Sequence, residues 1–211
     1  MTEQPRFRRP AMLSPEQAEA IVGEEDPAER SEIAHTTAQA MVFGGRDSAE
    51  DPELVQRLIA LVDSEGLEAV AEIWSQSPAD TLPGALWRLY LLREWGRRDP
   101  DTIAERYRLG ANNAEVAGVV AGVASPLGPE EIREMLDAVL SGVYRGDLAV
   151  ALERAGSFLR VLATGSAMDA DWVETSDADA ATLLTRRAGS LLDTAGELED
   201  AASLYRADRL H

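Results

Sequence analysis

Apolar positions in this chain recur every three to four residues, and proline and glycine close the runs between them. This is the signature of amphipathic helices. Ser14-Pro15-Glu16-Gln17 supplies an N-cap, a first-turn proline and a capping-box glutamine for a short helix that ends at Gly23. Asp26-Pro27 opens a second helix that can run to Phe43, stopped by Gly44-Gly45. Asp51-Pro52 opens a third, whose apolar face of Leu54, Leu58, Ile59, Leu61 and Val62 continues to Gly66. In each case the Asp side chain offers a capping oxygen, and Pro occupies a position where a missing N–H costs nothing.

Residues 67–75 carry the helical period through Val70, Ala71, Ile73 and Trp74, and Ser77-Pro78 breaks it. The next segment, 81–95, is apolar nearly all round, with Leu82, Leu86, Trp87, Leu89, Leu91, Leu92 and Trp95, so it predicts a central, buried helix. Asp99-Pro100 starts a helix ended by Leu109-Gly110, and Asn112 or Asn113 can cap another that reaches Ala124 before Ser125-Pro126. Segments 129–145 and 147–162 predict a pair around Gly146, and 180–194 with 197–210 a pair around Gly196. The acidic stretch 164–179 between them reads as a loop. No strand alternation and no Asn-Gly hairpin signal is found. The expectation is an all-α fold of about ten helices, arranged as antiparallel hairpins in an irregular bundle or short α-solenoid. Residues 1–13 form a flexible arm and 14–211 one helical domain, with a sub-boundary conceivable near 125–129.

Glycines 66, 96, 146 and 196 are the expected pivots of these hairpins. Around the last one, Gly189, Leu192, Ala201 and Tyr205 stand at the spacing of the small, large, small and aromatic positions of a known repeat. This C-terminal segment resembles a tetratricopeptide repeat, although Thr185 and Asp208 replace two of its positions. The resemblance implies a scaffold that binds peptides or proteins.

Composition narrows the chemistry. All 20 basic residues are Arg, and the chain contains neither Lys nor Cys. Schiff-base chemistry, a phosphate-loop lysine, thiol nucleophiles, zinc knuckles and disulfides are therefore excluded. A hydrophobic fraction of 45% with only 5% aromatics implies an aliphatic core. Residues 1–10 hold no apolar stretch of the kind that opens a secretory signal, and no run is long enough to span a bilayer. A cytoplasmic location without membrane contact is expected.

Two candidate metal patterns fail on spacing. Glu32 and His35 stand three apart, as in di-iron carboxylate bundles, but the only other His is terminal His211. Asp169, Asp171, Glu174, Asp177 and Asp179 crowd together without the EF-hand order, and read as a solvated loop anchored by Trp172. No metal and no cofactor is expected. Residues 109–116 resemble the turn of a DNA-binding helix-turn-helix, yet the recognition helix would carry no basic residue.

The net charge of −18 is unevenly distributed. Residues 14–80 carry −13 and 110–211 carry −9, whereas 1–13 and 81–109 each carry +2. The basic central segment holds Arg88, Arg93, Arg97, Arg98, Arg106 and Arg108 beside Trp95. These seven residues are the candidate binding site, since guanidinium forks and aromatic faces suit an acidic peptide or a phosphorylated ligand. Pairing with neighbouring acids is the competing role for the same arginines. The function expected is a non-enzymatic adaptor, scaffold or regulator that binds another protein or peptide. A helix-turn-helix regulator and a small-ligand or metal-dependent bundle enzyme are the alternatives. The acidic surface disfavours nucleic acid, and a homodimer is left open.

Overall fold

The structure, a computed structural model, describes residues 26–43, 66–113, 127–142, 144–174 and 178–211, and all of its regular elements are helices. Seven helices are found among these residues: α1 (Pro27–Phe43), α2 (Leu67–Trp74), α3 (Leu82–Arg98), α4 (Pro100–Asn113), α5 (Pro129–Leu140), α6 (Leu148–Glu174) and α7 (Ala178–Arg206). The expected helices at 14–23, 52–66 and 112–124, the arm 1–13 and the proline at 126 lie wholly or largely outside the described residues.

The punctuation read from sequence operates as capping chemistry. The Ala28 N–H donates to Asp26 Oδ1 at 2.9 Å at the start of α1. Thr81 Oγ1 accepts from the Gly84 N–H at 3.3 Å at the start of α3, where Pro83 sits in the first turn. Asp99 and Asp147 cap α4 and α6 through the N–H groups of Thr102 and Ala149. Each cap satisfies a donor that the helix itself cannot. At the other end of α7, Asp208 adopts a left-handed conformation with φ of 53°. The Arg209 N–H then reaches back to the Leu204 carbonyl at 2.9 Å and closes the helix.

α3 packs against every other described helix. Its Leu82, Ala85, Leu86 and Leu89 are fully or almost fully buried. Buried residues of all seven helices form one aliphatic core, with Trp74 and Phe158 as its largest members. Trp74 donates its indole N–H to Thr37 Oγ1 at 3.0 Å, so the polar edge of the buried ring is satisfied. The chain end is also tied in: Leu210 is buried and the His211 carbonyl accepts from the Leu82 N–H at 2.9 Å.

The hairpin scheme and the count of about ten helices need correction. Gly96 lies inside α3 and Gly196 inside α7, so neither is a pivot. Residues 180–194 and 197–210 do not fold back on each other. They belong to one 29-residue helix, on which Gly189, Leu192, Ala201 and Tyr205 all stand. A helical glycine costs only about 1 kcal/mol. That cost is outweighed by burying Ala195, Leu198, Ala201 and Ala202 along one face against α6. The stretch expected as an acidic loop is likewise helical over its described residues, because α6 runs without a break to Glu174 and α7 begins at Ala178.

A packing requirement explains why α6 continues. α4 and α6 cross at a contact where both backbones touch. A Cβ on Gly110 would lie 1.9 Å from the Val161 carbonyl oxygen, and one on Gly165 would lie 1.9 Å from the Arg106 carbonyl oxygen. Only glycine permits this approach. Tyr107 stacks on Phe158 beside it, with ring centroids 5.4 Å apart.

The crossing gives glycine substitutions opposite signs. Gly110→Ala should lower stability by about 3 kcal/mol through forced separation of the helices, despite the better helix propensity of Ala. Gly189→Ala and Gly196→Ala, where an added Cβ meets nothing within 4 Å, should each raise it by about 0.5–1 kcal/mol. Urea unfolding monitored by helical circular dichroism measures all three.

Candidate functional site

The seven residues singled out by charge do not form one surface. α3 separates them onto opposite sides, because residues four apart share a helix face while residues two apart do not. Arg88 and Trp95 border a groove between α3 and α7, Arg93 and Arg97 border a cleft between α3, α4 and α5, and Arg98 borders neither. Arg106 and Arg108 belong to α4.

Five of these arginines are engaged with acids. Arg88 Nε donates to Glu197 Oε2 at 2.5 Å, and its Nη1 donates to the Gly84 carbonyl at 2.9 Å. Arg93 donates from Nε to Asp137 at 2.5 Å and from Nη1 to Glu94 at 2.9 Å. Glu94 also accepts from Arg97 Nη1 at 3.1 Å, and Arg98 stands 3.8 Å from its other oxygen. Arg108 grips Glu105 with two nitrogens one turn back on the same helix. This pair holds the Glu105 carboxyl below its usual range and raises the Arg108 guanidinium. Arg106 is half-buried, and its Nε has no hydrogen-bond partner among the described residues.

The groove beside Arg88 and Trp95 has a volume of about 300 Å³. Trp87, Leu91 and Trp95 stand along α3 at four-residue intervals and form one wall; Leu191 and Thr194 of α7 form the other, over Leu159 of α6. Leu91 is 47% exposed, a high value for a leucine on the central helix. Trp87 stacks on Tyr90 with centroids 5.5 Å apart, which fixes the orientation of its ring. Burial, with Glu94 nearby, pushes the Tyr90 hydroxyl above its usual range, so it stays neutral in the physiological range. The Arg88–Glu197 pair ties the two walls together at one end.

The second cleft, about 310 Å³, has a floor of Leu92, Ile103, Ile132, Leu136 and Phe158. Arg93, Arg97 and Arg133 border it together with Glu130. A third opening, between α1 and α2, is lined by Glu29, Arg30, Ile33, Glu72 and Ile73. The sequence reading missed Leu91, Leu191 and Arg133. Leu91 was legible as the middle of the 87–91–95 stripe, whereas Leu191 and Arg133 reach these openings only through packing.

Other candidate positions resolve simply. His35 donates from Nδ1 to the Ser31 carbonyl at 2.7 Å on its own helix. No group of three or more His, Asp or Glu side chains able to hold a metal occurs among the described residues. The side chains of Asp171, Trp172, Glu174, Asp177 and Asp179 lie outside the described set. No described helix is long and apolar enough to cross a membrane. No family model, curated protein or solved structure significantly matches the chain.

Two ion pairs join α6 to α7 and hold one wall of the groove. Arg160 donates from two nitrogens to the two oxygens of Glu199, at 2.7 and 2.6 Å, which raises the Arg160 guanidinium. Arg206 likewise engages both oxygens of the half-buried Glu153. Hydrogen bonds from Arg206 hold the Glu153 carboxyl below the ordinary value of 4.5. A carboxyl with a depressed folded value stabilises the fold fully above its unfolded value, and that stabilisation disappears as pH falls through the folded value. Unfolding free energy should therefore drop as pH is lowered from 5 toward and below that value. Glu153→Gln should remove about 0.5–1 kcal/mol at neutral pH and flatten this part of the profile, as read by urea titrations at successive pH values.

Proposed function

We propose that the protein is a non-enzymatic adaptor that binds another protein by seating a helical segment in the groove between α3 and α7. The observation that carries this reading is the stripe of Trp87, Leu91 and Trp95, half-buried or exposed on the central helix and facing an open groove. An apolar stripe at four-residue spacing matches the apolar face of a second helix. Tryptophans in such positions dominate binding energies, because they remove much apolar area from water with few torsions to freeze.

The arginines first offered for an acidic peptide contribute differently. Arg88 is spent on Glu197 and the Gly84 carbonyl, so it shapes the end of the groove rather than supplying an unpaired charge. With a net charge of −18, the whole molecule attracts cationic partners over distances comparable with the Debye length. The segment we infer is therefore an amphipathic helix with an apolar stripe and basic flanks, bound as its complement by an acidic body. The helix-turn-helix alternative depends on residues outside the described set, and the metal-dependent enzyme alternative gains no support from the described residues, which hold no group of three or more His, Asp or Glu able to bind a metal.

A synthetic amphipathic helix, with leucines four apart and arginines on its other faces, tests the reading. Titrating it should change the tryptophan emission saturably. Leu91→Arg should abolish the response with unchanged thermal unfolding, and Trp95→Ala should weaken binding by at least tenfold while also lowering the unfolding temperature, because its ring packs partly against the core. In affinity capture from the native cell, the same substitutions should remove the partner that co-purifies with the wild-type chain. Binding that ignores both substitutions would discard the groove as the site.

A further inference from the structure

The cleft on the other side of α3 has features that a packing defect would lack. Its floor is apolar, its rim is guanidinium, and a glycine holds it open. Gly96 stands in the last turn of α3, where alanine would be favoured by about 1 kcal/mol. No steric need for glycine exists at that position, because an added Cβ would approach nothing closer than Ile103 Cδ1 at 4.0 Å. This differs from Gly110 and Gly165, whose Cβ atoms would strike backbone. A side chain at 96 would instead project into the cleft that Gly96 lines, which puts a cost in helix stability against an open volume of about 310 Å³.

The rim arginines share their acids unequally. Glu94 is shared among Arg93, Arg97 and Arg98, Asp137 serves Arg93, and Glu130 serves Arg133. Three guanidiniums border the cleft, Arg93, Arg97 and Arg133, and the three carboxylates Glu94, Asp137 and Glu130 pair with them. Arg97 is the member with capacity to spare: it is 57% exposed and uses only Nη1, toward Glu94, among the described residues. Its remaining nitrogens form the planar fork that matches a carboxylate. Asp99 is spent on capping α4, and the first turn of α5, which borders the same cleft at Pro129, has no side-chain cap.

We propose that this cleft binds a small amphiphilic monocarboxylate, with the carboxylate on Arg97 at the mouth and a short acyl chain or single ring on the floor. The volume lies at the lower end of small-molecule sites, which excludes a nucleotide or a long lipid. One guanidinium with spare donors suits a single carboxylate rather than a polyphosphate. The apolar floor of Leu92, Ile103 and Phe158 requires a hydrophobic body and does not accommodate a bare anion. The site is separate from the α3–α7 groove, and its test does not depend on the adaptor reading.

Hexanoate is the probe. Titrated into the full chain and followed by amide NMR, it should cause saturable shifts at Gly96, Ile103 and Ile132. Acetate, which lacks the body, and inorganic phosphate should cause none, and hexanol, which lacks the charge, should bind at least tenfold more weakly. Arg97→Gln, at an exposed position, should weaken hexanoate about tenfold. Gly96→Leu should abolish the shifts while leaving the thermal unfolding temperature unchanged or raised. The proposal is overturned if hexanoate causes no saturable shift, or if binding survives Arg97→Gln and Gly96→Leu. It is equally overturned if hexanol or phosphate binds as well as hexanoate.

Discussion

A helix with apolar side chains on all its faces persists in water only if other elements surround it, and α3 imposes that constraint on the whole fold. Its segment from Leu82 to Leu92 offers no continuous polar face to solvent, so α1, α2, α4, α5, α6 and α7 are all drawn into contact with it. The result is radial packing around one helix. Neither a row of stacked hairpins nor a solenoid would cover α3 on enough sides. The tie between the Leu82 N–H and the His211 carbonyl extends this logic to the chain end, which closes against the start of the same helix.

Covering α3 requires the outer helices to approach one another closely, and small residues allow it. Gly110 and Gly165 let α4 touch α6 at the backbone, and at Gly156 α6 approaches α7 closely enough that a Cβ would lie 3.1 Å from the Ala195 carbonyl oxygen. Bidentate arginine pairs then join α6 and α7 at the solvent edge, Arg160 with Glu199 and Arg206 with Glu153. The absence of lysine is consistent with this use of cations. A planar guanidinium can hold two oxygens in a fixed geometry while its stem lies along an apolar surface, which an ammonium cannot do equally well. Much of the positive charge is thereby spent inside the molecule, and the exterior remains strongly acidic.

The enclosure of α3 is incomplete in two places, and the candidate sites are those places. On one side the Trp87–Leu91–Trp95 stripe faces an open groove, and on the other the notch at Gly96 opens a small arginine-rimmed cleft. Leu92 contributes to both. The two openings differ in chemistry because different outer helices form their far walls. α7 supplies leucine and threonine to the groove, whereas α5 supplies Arg133 and Glu130 to the cleft.

Much of the helical reading followed from local chemistry. Asp26-Pro27, Thr81, Asp99-Pro100 and Asp147 start helices because a capping oxygen and a preset φ act within four residues, and such effects are legible in a linear chain. The central place of 82–98 was legible for a similar reason, since its apolar positions leave no face for water. Gly96 and Gly196 were misread as turns because a glycine's local preference of about 1 kcal/mol is overruled by burial that the linear chain does not display. The stretch 164–174 was misread as a loop because its helicity depends on the contact of Gly165 with α4. The candidate residues themselves were partly legible: charge selected Arg93 and Arg97, and the aromatic face beside them selected Trp95. Their division between two sites, the acids that occupy them and the addition of Arg133 were not. Composition and capping thus determined helices, a missing set of chemistries and an acidic exterior. Tertiary structure alone decided which arginines stay available and which apolar residues stay exposed, because both depend on neighbours tens of residues away in the chain.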